Sequence, residues 1–432
     1  MAHILDAQDP GFPQAFDAFL ELKRSAEANV DTAVAEIIAD VRSRGIDAVL
    51  DLTQRLDHFQ ADAQSIEVSP AEIDRAITAI PADQAAALQK AADRIQAYHS
   101  RQLPEDADWT DETGARLGWR WTAVDRAGLY VPGGLASYPS SVLMNAVPAR
   151  VAGVRELVIC APTPDGQINP LVLLAARIAG VDRIFRVGGA QAVAAMAYGA
   201  GPIPKVDKIT GPGNAYVASA KRMVYGTVGI DMIAGPSEVL VIADKTADPD
   251  WVAMDLMAQA EHDETAQSIL ITDDAALAGS TARAVDALLK SLDRRDIAAA
   301  SWRDFGAIIT VADMAEAASL SNRIAPEHLE ILTADPDAVA ADIRHAGAIF
   351  LGAHTPEAIG DYVGGPNHVL PTAGSARFSS GLSVLDFMKR TTLSAMTPAA
   401  LKSVGPAAVE LARAEGLEAH GLSVVKRLER LN

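Results

Sequence analysis

The sequence predicts an α/β fold: two parallel-sheet domains, a helical segment before them and a helical tail after. Three observations lead there. From about residue 127, short apolar runs rich in β-branched residues alternate with helical stretches. Such alternation implies parallel sheets covered on both faces. It comes as two series of similar rhythm, without a clear residue repeat, which suggests two domains of similar build, a duplication being one origin. And 432 residues, 49% of them hydrophobic, exceed one domain of usual size.

Taken in order, residues 1–125 read as helices. Apolar residues recur at helical spacing over 30–44 and 70–102. Residues 103–111, rich in proline and acid, read as a loop or extended piece. No catalytic constellation stands out here, so packing or dimer contacts are the expected role. The first α/β domain spans 126–236, with strands at 157–160, 183–187 and 206–209 and helices at 170–179, 190–198 and 215–224. The second spans 237–378, with strands at 239–243, 268–272, 307–311 and 348–351 and helices at 249–262, 274–289 and 313–322. After about 378 the alternation stops, and 384–389, 398–414 and 416–431 read as helices. This tail, 379–432, is too short to make its own core. It must pack on the body or on another subunit.

Composition narrows the function. The net charge of −19, from 37 basic and 56 acidic residues, argues against nucleic acid and anionic membrane as partners. The single cysteine, Cys160, excludes an intrachain disulfide and a thiolate metal cluster. It ends an apolar run and reads as a buried small hydrophobe. Residues 1–6 show no export signal, and no apolar run approaches the ~20 residues that span a bilayer. A soluble cytoplasmic protein is expected.

The chemistry centres on Ala258-Gln259-Ala260-Glu261-His262-Asp263. It lies late in a helix that opens at Asp248-Pro249, an N-cap followed by proline. Gln259 and His262 are three apart and share a helix face. An imidazole beside a side-chain carbonyl makes half a zinc site. The competing reading is a surface histidine that complements the helix dipole. Val187-Gly188-Gly189-Ala190-Gln191 and Ile209-Thr210-Gly211-Pro212-Gly213-Asn214 sit where strands turn into helices, the edge at which open parallel sheets bind ligands. The helix N-termini there favour an anion such as pyrophosphate. Neither run matches G-x-G-x-x-G, and tight turns alone would explain the glycines. Gly-Pro turns at 211–214, 235–238 and 365–368 make rigid loops with small polar residues. Structural turns remain an alternative for each.

Ala325-Pro326-Glu327-His328 places a carboxylate beside an imidazole. In a loop or at a helix start both can point into a cleft, with His328 as general base and Glu327 activating water. Asp361, in a glycine-rich loop after the last strand, is free to offer an oxygen ligand. His420 lies in the tail. Singly, these two read as well as surface residues.

These stretches together resemble the histidinol dehydrogenase family, nearly end to end. The motifs are GLYVPGG (128–134), SYPSSVLMNAVPA (137–149), VGGAQAVAA (187–195), GPGNAYVASAK (211–221), VGIDMIAGPSEVLVIAD (228–244), AQAEHD (258–263), APEHLE (325–330), GDYVGGPNHVLPT (360–372) and EGLEAH (415–420). No motif position departs from the pattern. The resemblance implies two incomplete Rossmann-like domains plus smaller helical pieces. It implies a zinc- and NAD-dependent, four-electron oxidation of L-histidinol to L-histidine through the aldehyde, the last step of histidine biosynthesis. One zinc per subunit would be held by Gln259, His262, Asp361 and His420, and acid/base work would fall to Glu327 and His328. NAD contacts correspond to Tyr130, Gln191 and Asn214. Substrate contacts correspond to Ser237, Glu415, His328 and the four zinc ligands. A homodimer is implied in which the tail crosses over, so that Glu415 and His420 complete the other chain's site.

Two rivals remain at this point. One is a paralogous zinc-dependent alcohol dehydrogenase acting on another polyol, such as a sulfonated diol. Glu415 and His420, suited to an amino-imidazole substrate, argue against it. The other is a non-catalytic metal- or solute-binding protein, against which the Glu327-His328 pair and the missing export signal speak.

Overall fold

The computed structural model describes residues 2–24, 30–133 and 138–431, so Gly134 and Ser137 of the quoted motifs lie outside the described residues. Two parallel sheets carry the fold. The first has five strands in the order Arg183–Arg186, Glu156–Ala161, Arg126–Tyr130, Lys208–Thr210, Gly229–Ile230. The second has six: His3–Asp6, Ala307–Thr310, Gln267–Thr272, Glu238–Ala243, His328–Leu332, Ala348–Leu351.

The central strands are apolar because both faces are covered. Every residue of Glu238–Ala243 and of Gln267–Thr272 is buried. Alternate side chains leave the sheet on opposite sides. Leu240, Ile242, Ile269 and Ile271 enter one core; Val239, Val241 and Leu270 enter another. The first sheet divides likewise, Leu157 and Ile159 on one face and Val158 and Cys160 on the other. Cys160 is therefore a core residue, and burial pushes its thiol up.

The expectation of helices alone over 1–125 needs correcting. Phe12–Arg24, Asp31–Arg44, Ile46–Asp57, Pro70–Ile77 and Ala82–His99 are helical. But His3–Asp6 is an edge strand of the second sheet, paired in parallel with Ala307–Thr310. Four residues whose partner lies some 300 positions away carry no periodic signal of their own. Ala107–Thr110, within the piece read as loop or extended, and Arg116–Ala123 form an antiparallel hairpin. A third strand, Met388–Ala395, joins it in register from Met388 opposite Ala123 to Ala395 opposite Arg116. The helix expected at 384–389 is thus one 3-10 turn, Val384–Phe387, running into a strand. The Ser383–Asp386 capping box starts that turn, and β-branched Thr391 and Thr392 suit the strand that follows.

The tail helices Pro398–Ala414 and Glu418–Glu429 pack chiefly against each other, with Gly405 facing Val424 and Leu428. Leu411, Leu417 and Leu422 remain exposed. These apolar side chains of the helical pair are left uncovered within the chain. No helix among the described residues is long and apolar enough to cross a membrane.

Candidate active site

One cavity of about 430 Å³ gathers residues of both sheets. The first sheet contributes the C-terminal ends of its strands. Tyr130 ends one strand, and Gly211-Pro212-Gly213-Asn214 follows another. The second sheet contributes the opposite ends. Glu238 and His328 are the first residues of neighbouring strands.

The glycine turn is braced from below. Lys221 and Asp231 form an ion pair with side chains 2% and 0% exposed. Lys221 Nζ donates to the Gly211 carbonyl at 2.9 Å, and the Gly211 N–H donates to Asp231 Oδ2 at 2.8 Å. Gly211 has φ +111°, and a Cβ there would fall 2.1 Å from the Tyr130 carbonyl oxygen, so glycine is required. Removing one partner of a buried pair strands the other charge, which costs about 3–5 kcal/mol. Lys221→Met is expected to lose that much in urea denaturation. Adding Asp231→Leu removes the stranded carboxylate but also the acceptor of the Gly211 N–H, so it should recover only part of the loss. A Lys221→Met variant as stable as the parent would show that the pair is not what holds the turn.

Glu327 and His328 were expected in a loop or at a helix start. Instead Glu327 directly precedes the strand His328–Leu332, paired in parallel with Glu238–Ala243. Strand pairing fixes both side chains. The Glu238 N–H donates to Glu327 Oε2 at 2.9 Å, and His328 Nδ1 donates to the Glu238 carbonyl at 2.9 Å. A carbonyl only accepts, so the neutral ring carries its proton on Nδ1. Nε2 is then a free base, buried and without a partner among the described residues. Burial lowers His328 to about 3, so the ring is neutral near pH 7.

Asp361 lies on the short helix Glu357–Tyr362, not in a loop, and the strand before it, Ala348–Leu351, is not the last of the chain. Burial raises its carboxyl to about 6. Gln259 ends its helix turn, and His262 lies just past the helix, which stops at Ala260, with its N–H donating to the Gln259 carbonyl. Gln259 is 1% exposed, and neither amide atom has a partner among the described residues. Ser237, Gln259, His262 and Asp361 line the cavity with Glu327 and His328, and so do Tyr130 and Asn214. Asn214 also caps the helix Ala215–Val224. Gln191 is buried beside Gly189, whose N–H donates to the Tyr130 hydroxyl, but does not itself line the cavity. Glu415 and His420 are exposed on the tail, outside the cavity of their own chain.

Two groups escaped the sequence reading. Glu357 Oε1 sits 3.1 Å from His328 Nδ1, and burial beside other acids raises its carboxyl. His328, Glu357 and Asp361 bring ligand atoms within 4.8 Å of one another. His368 Nδ1 donates to the Asp361 carbonyl at 3.0 Å. Its motif, Gly365-Pro366-Asn367-His368, was visible as a turn, but nothing marked the histidine as facing the site. Pro356-Glu357 resembles any helix start.

Residues 20–428 match the family model described as histidinol dehydrogenase. The chain belongs to the histidinol dehydrogenase family. It is 68% identical to the histidinol dehydrogenase of Ruegeria pomeroyi and 66% identical to that of Cereibacter sphaeroides, in both cases over all of each chain. A solved histidinol dehydrogenase from Elizabethkingia anophelis superposes with a TM-score of 0.94 at 34% identity, covering 100% of this chain and 99% of that one. The α/β class read from the sequence is that of this family, and so is the function read from the motifs. The polyol-dehydrogenase and binding-protein alternatives are not favoured.

Proposed function

We propose that this chain oxidises L-histidinol to L-histidine in two NAD-linked steps at a zinc-bearing cavity, acting in the cytoplasm as a homodimer. The observation that carries the reading is the unpartnered His328 Nε2, a buried neutral base beside a carboxylate.

The residues suit a metal. A buried amide with both polar atoms unsatisfied costs on the order of 1–3 kcal/mol per group, and Gln259 is in that position next to His262 and Asp361. A cation bonded to its oxygen would satisfy one of the two atoms and offset the crowded carboxyls. We assign Gln259, His262 and Asp361 to zinc, with His420 from a second copy as the fourth ligand. Zinc held there would supply a positive centre that orients a substrate with nitrogen donors. The donors are two oxygens and two imidazoles, with no thiolate, which fits an orienting role. NAD⁺, when bound, accepts hydride; Tyr130, Gln191 and Asn214 are assigned to it.

His328 Nε2 takes the alcohol proton as hydride leaves the carbon. Glu327, held through one oxygen by the Glu238 N–H, draws a proton from water as the water adds to the aldehyde carbon. His328 returns its first proton to the aldehyde oxygen as the water adds, and then takes the hydrate's proton in the second oxidation. Ser237 of this chain and Glu415 of a second copy complete the substrate contacts.

NADH formed from limiting L-histidinol tests the proposal. Two NADH per histidinol are expected, lost on chelation and regained with zinc; one NADH would remove the aldehyde step, and none would remove the function. Sharing of the site has its own test. His420→Asn and His328→Ala are each expected to be inactive, yet mixed and allowed to exchange subunits they should regain activity. No recovery after demonstrated exchange would count against a crossing tail.

A further inference from the structure

Behind the cavity lies a second group of acids that the chemistry above does not use. Glu330 is two residues beyond His328 on the same strand, so both project from one face. It is fully buried. Its Oε1 accepts the Glu357 N–H at 2.5 Å, at the start of the helix that carries Glu357 and Asp361. That helix begins at Pro356, which gives no side-chain cap, and Glu330 fills the place. Its other carboxyl oxygen has no N–H or hydroxyl donor among the described residues. It meets Asp255 instead, and the two carboxyls hydrogen-bond each other. Two carboxylates cannot do so unless one proton lies between them. Burial raises both groups, in keeping with that shared proton. Asp255 stands one turn before Gln259 on the helix Pro249–Ala260.

We propose that Glu330 and Asp255 form a carboxyl–carboxylate clasp that positions the metal ligands. It ties together the helix bearing Gln259, the strand bearing His328 and the helix bearing Asp361. Neither residue touches substrate or metal; they act by fixing the elements that do. Such outer partners change metal affinity by about 10–100-fold when lost. The inference rests on the reading of the cavity as a zinc site.

The test is the rate at which zinc-loaded protein gives up zinc to an excess of chelator, read alongside the melting temperature of the metal-free protein. Glu330→Gln keeps both bonds, since its amide oxygen accepts from the Glu357 N–H and its NH₂ donates to Asp255. Asp255→Asn likewise keeps a donor for Glu330. Both are expected to release zinc within about threefold of the parent. Glu330→Met and Asp255→Ala break the clasp and are expected to release it at least about tenfold faster. Asp255 is only partly buried, so its variants keep the comparison open if Glu330→Met does not fold. Equal release from all four variants and the parent would overturn the clasp. So would a lower metal-free melting temperature with unchanged release, the mark of a merely structural bond. A parent protein that retains no zinc at all would overturn the metal-site reading itself.

Discussion

His328→Asn is expected to lower kcat with L-histidinol by about 10²–10⁴-fold, the usual share of a positioned general base. The reason is specific. The ring donates from Nδ1 to the Glu238 carbonyl, and that bond leaves Nε2 bare on a residue that lines the cavity. The asparagine amide can restore the bond to Glu238 but offers no basic nitrogen at the Nε2 position. Zinc content and KM should therefore change much less than kcat. A loss confined to KM would mean that His328 binds substrate without moving its proton. Both NADH-forming steps should fall, because the same base serves each.

Glu327→Gln is expected to separate the two steps. Its amide oxygen still accepts the Glu238 N–H, so the strand start is preserved. What is lost is a carboxylate able to draw a proton from water. The first hydride transfer should persist, and the second step should slow by about 10²–10³-fold. In a single turnover the variant should yield one NADH per site in a fast phase, with the aldehyde trapped by an added amine such as semicarbazide. Equal slowing of both phases would show that Glu327 and His328 do not divide the work.

The sequence was most legible where burial is uniform. The strands Glu238–Ala243 and Gln267–Thr272 are apolar on both faces, so their runs announce a covered parallel sheet. It was least legible where function interrupts that pattern. His328-Leu329-Glu330-Ile331-Leu332 is a central strand of the same sheet, yet His328 and Glu330 replace apolar residues on one face. That face holds the candidate base and the clasp, so the residues that hide the strand are the ones with work to do. His3–Asp6 and Met388–Ala395 were missed for another reason. Their pairing is with distant segments, and no local period foretells it. Asp361 was expected in a loop because glycines flank it. The helix Glu357–Tyr362 forms there with Glu330 bonding its first N–H, a contact no local pattern records.

The candidate site was readable as separate pieces more than as a surface. Gln259, His262, Asp361, Glu327 and His328 were each marked by residue type and neighbours, and the fold brings all five to one cavity. Glu357 had no such mark. His420 and Glu415 are the reverse case: named by resemblance, but exposed on a hairpin that has little to pack against in its own chain.

X-ray diffraction at the zinc absorption edge, on crystals of the zinc-loaded protein, tests the central claim most directly, because two ligand sets compete. The account predicts one anomalous peak per chain, bonded by Gln259, His262 and Asp361 and by His420 of a neighbouring copy. A peak held instead by His328, Glu357 and Asp361 would contradict it. It would tie up the base that the proposed chemistry needs and leave the tail without a part in the site.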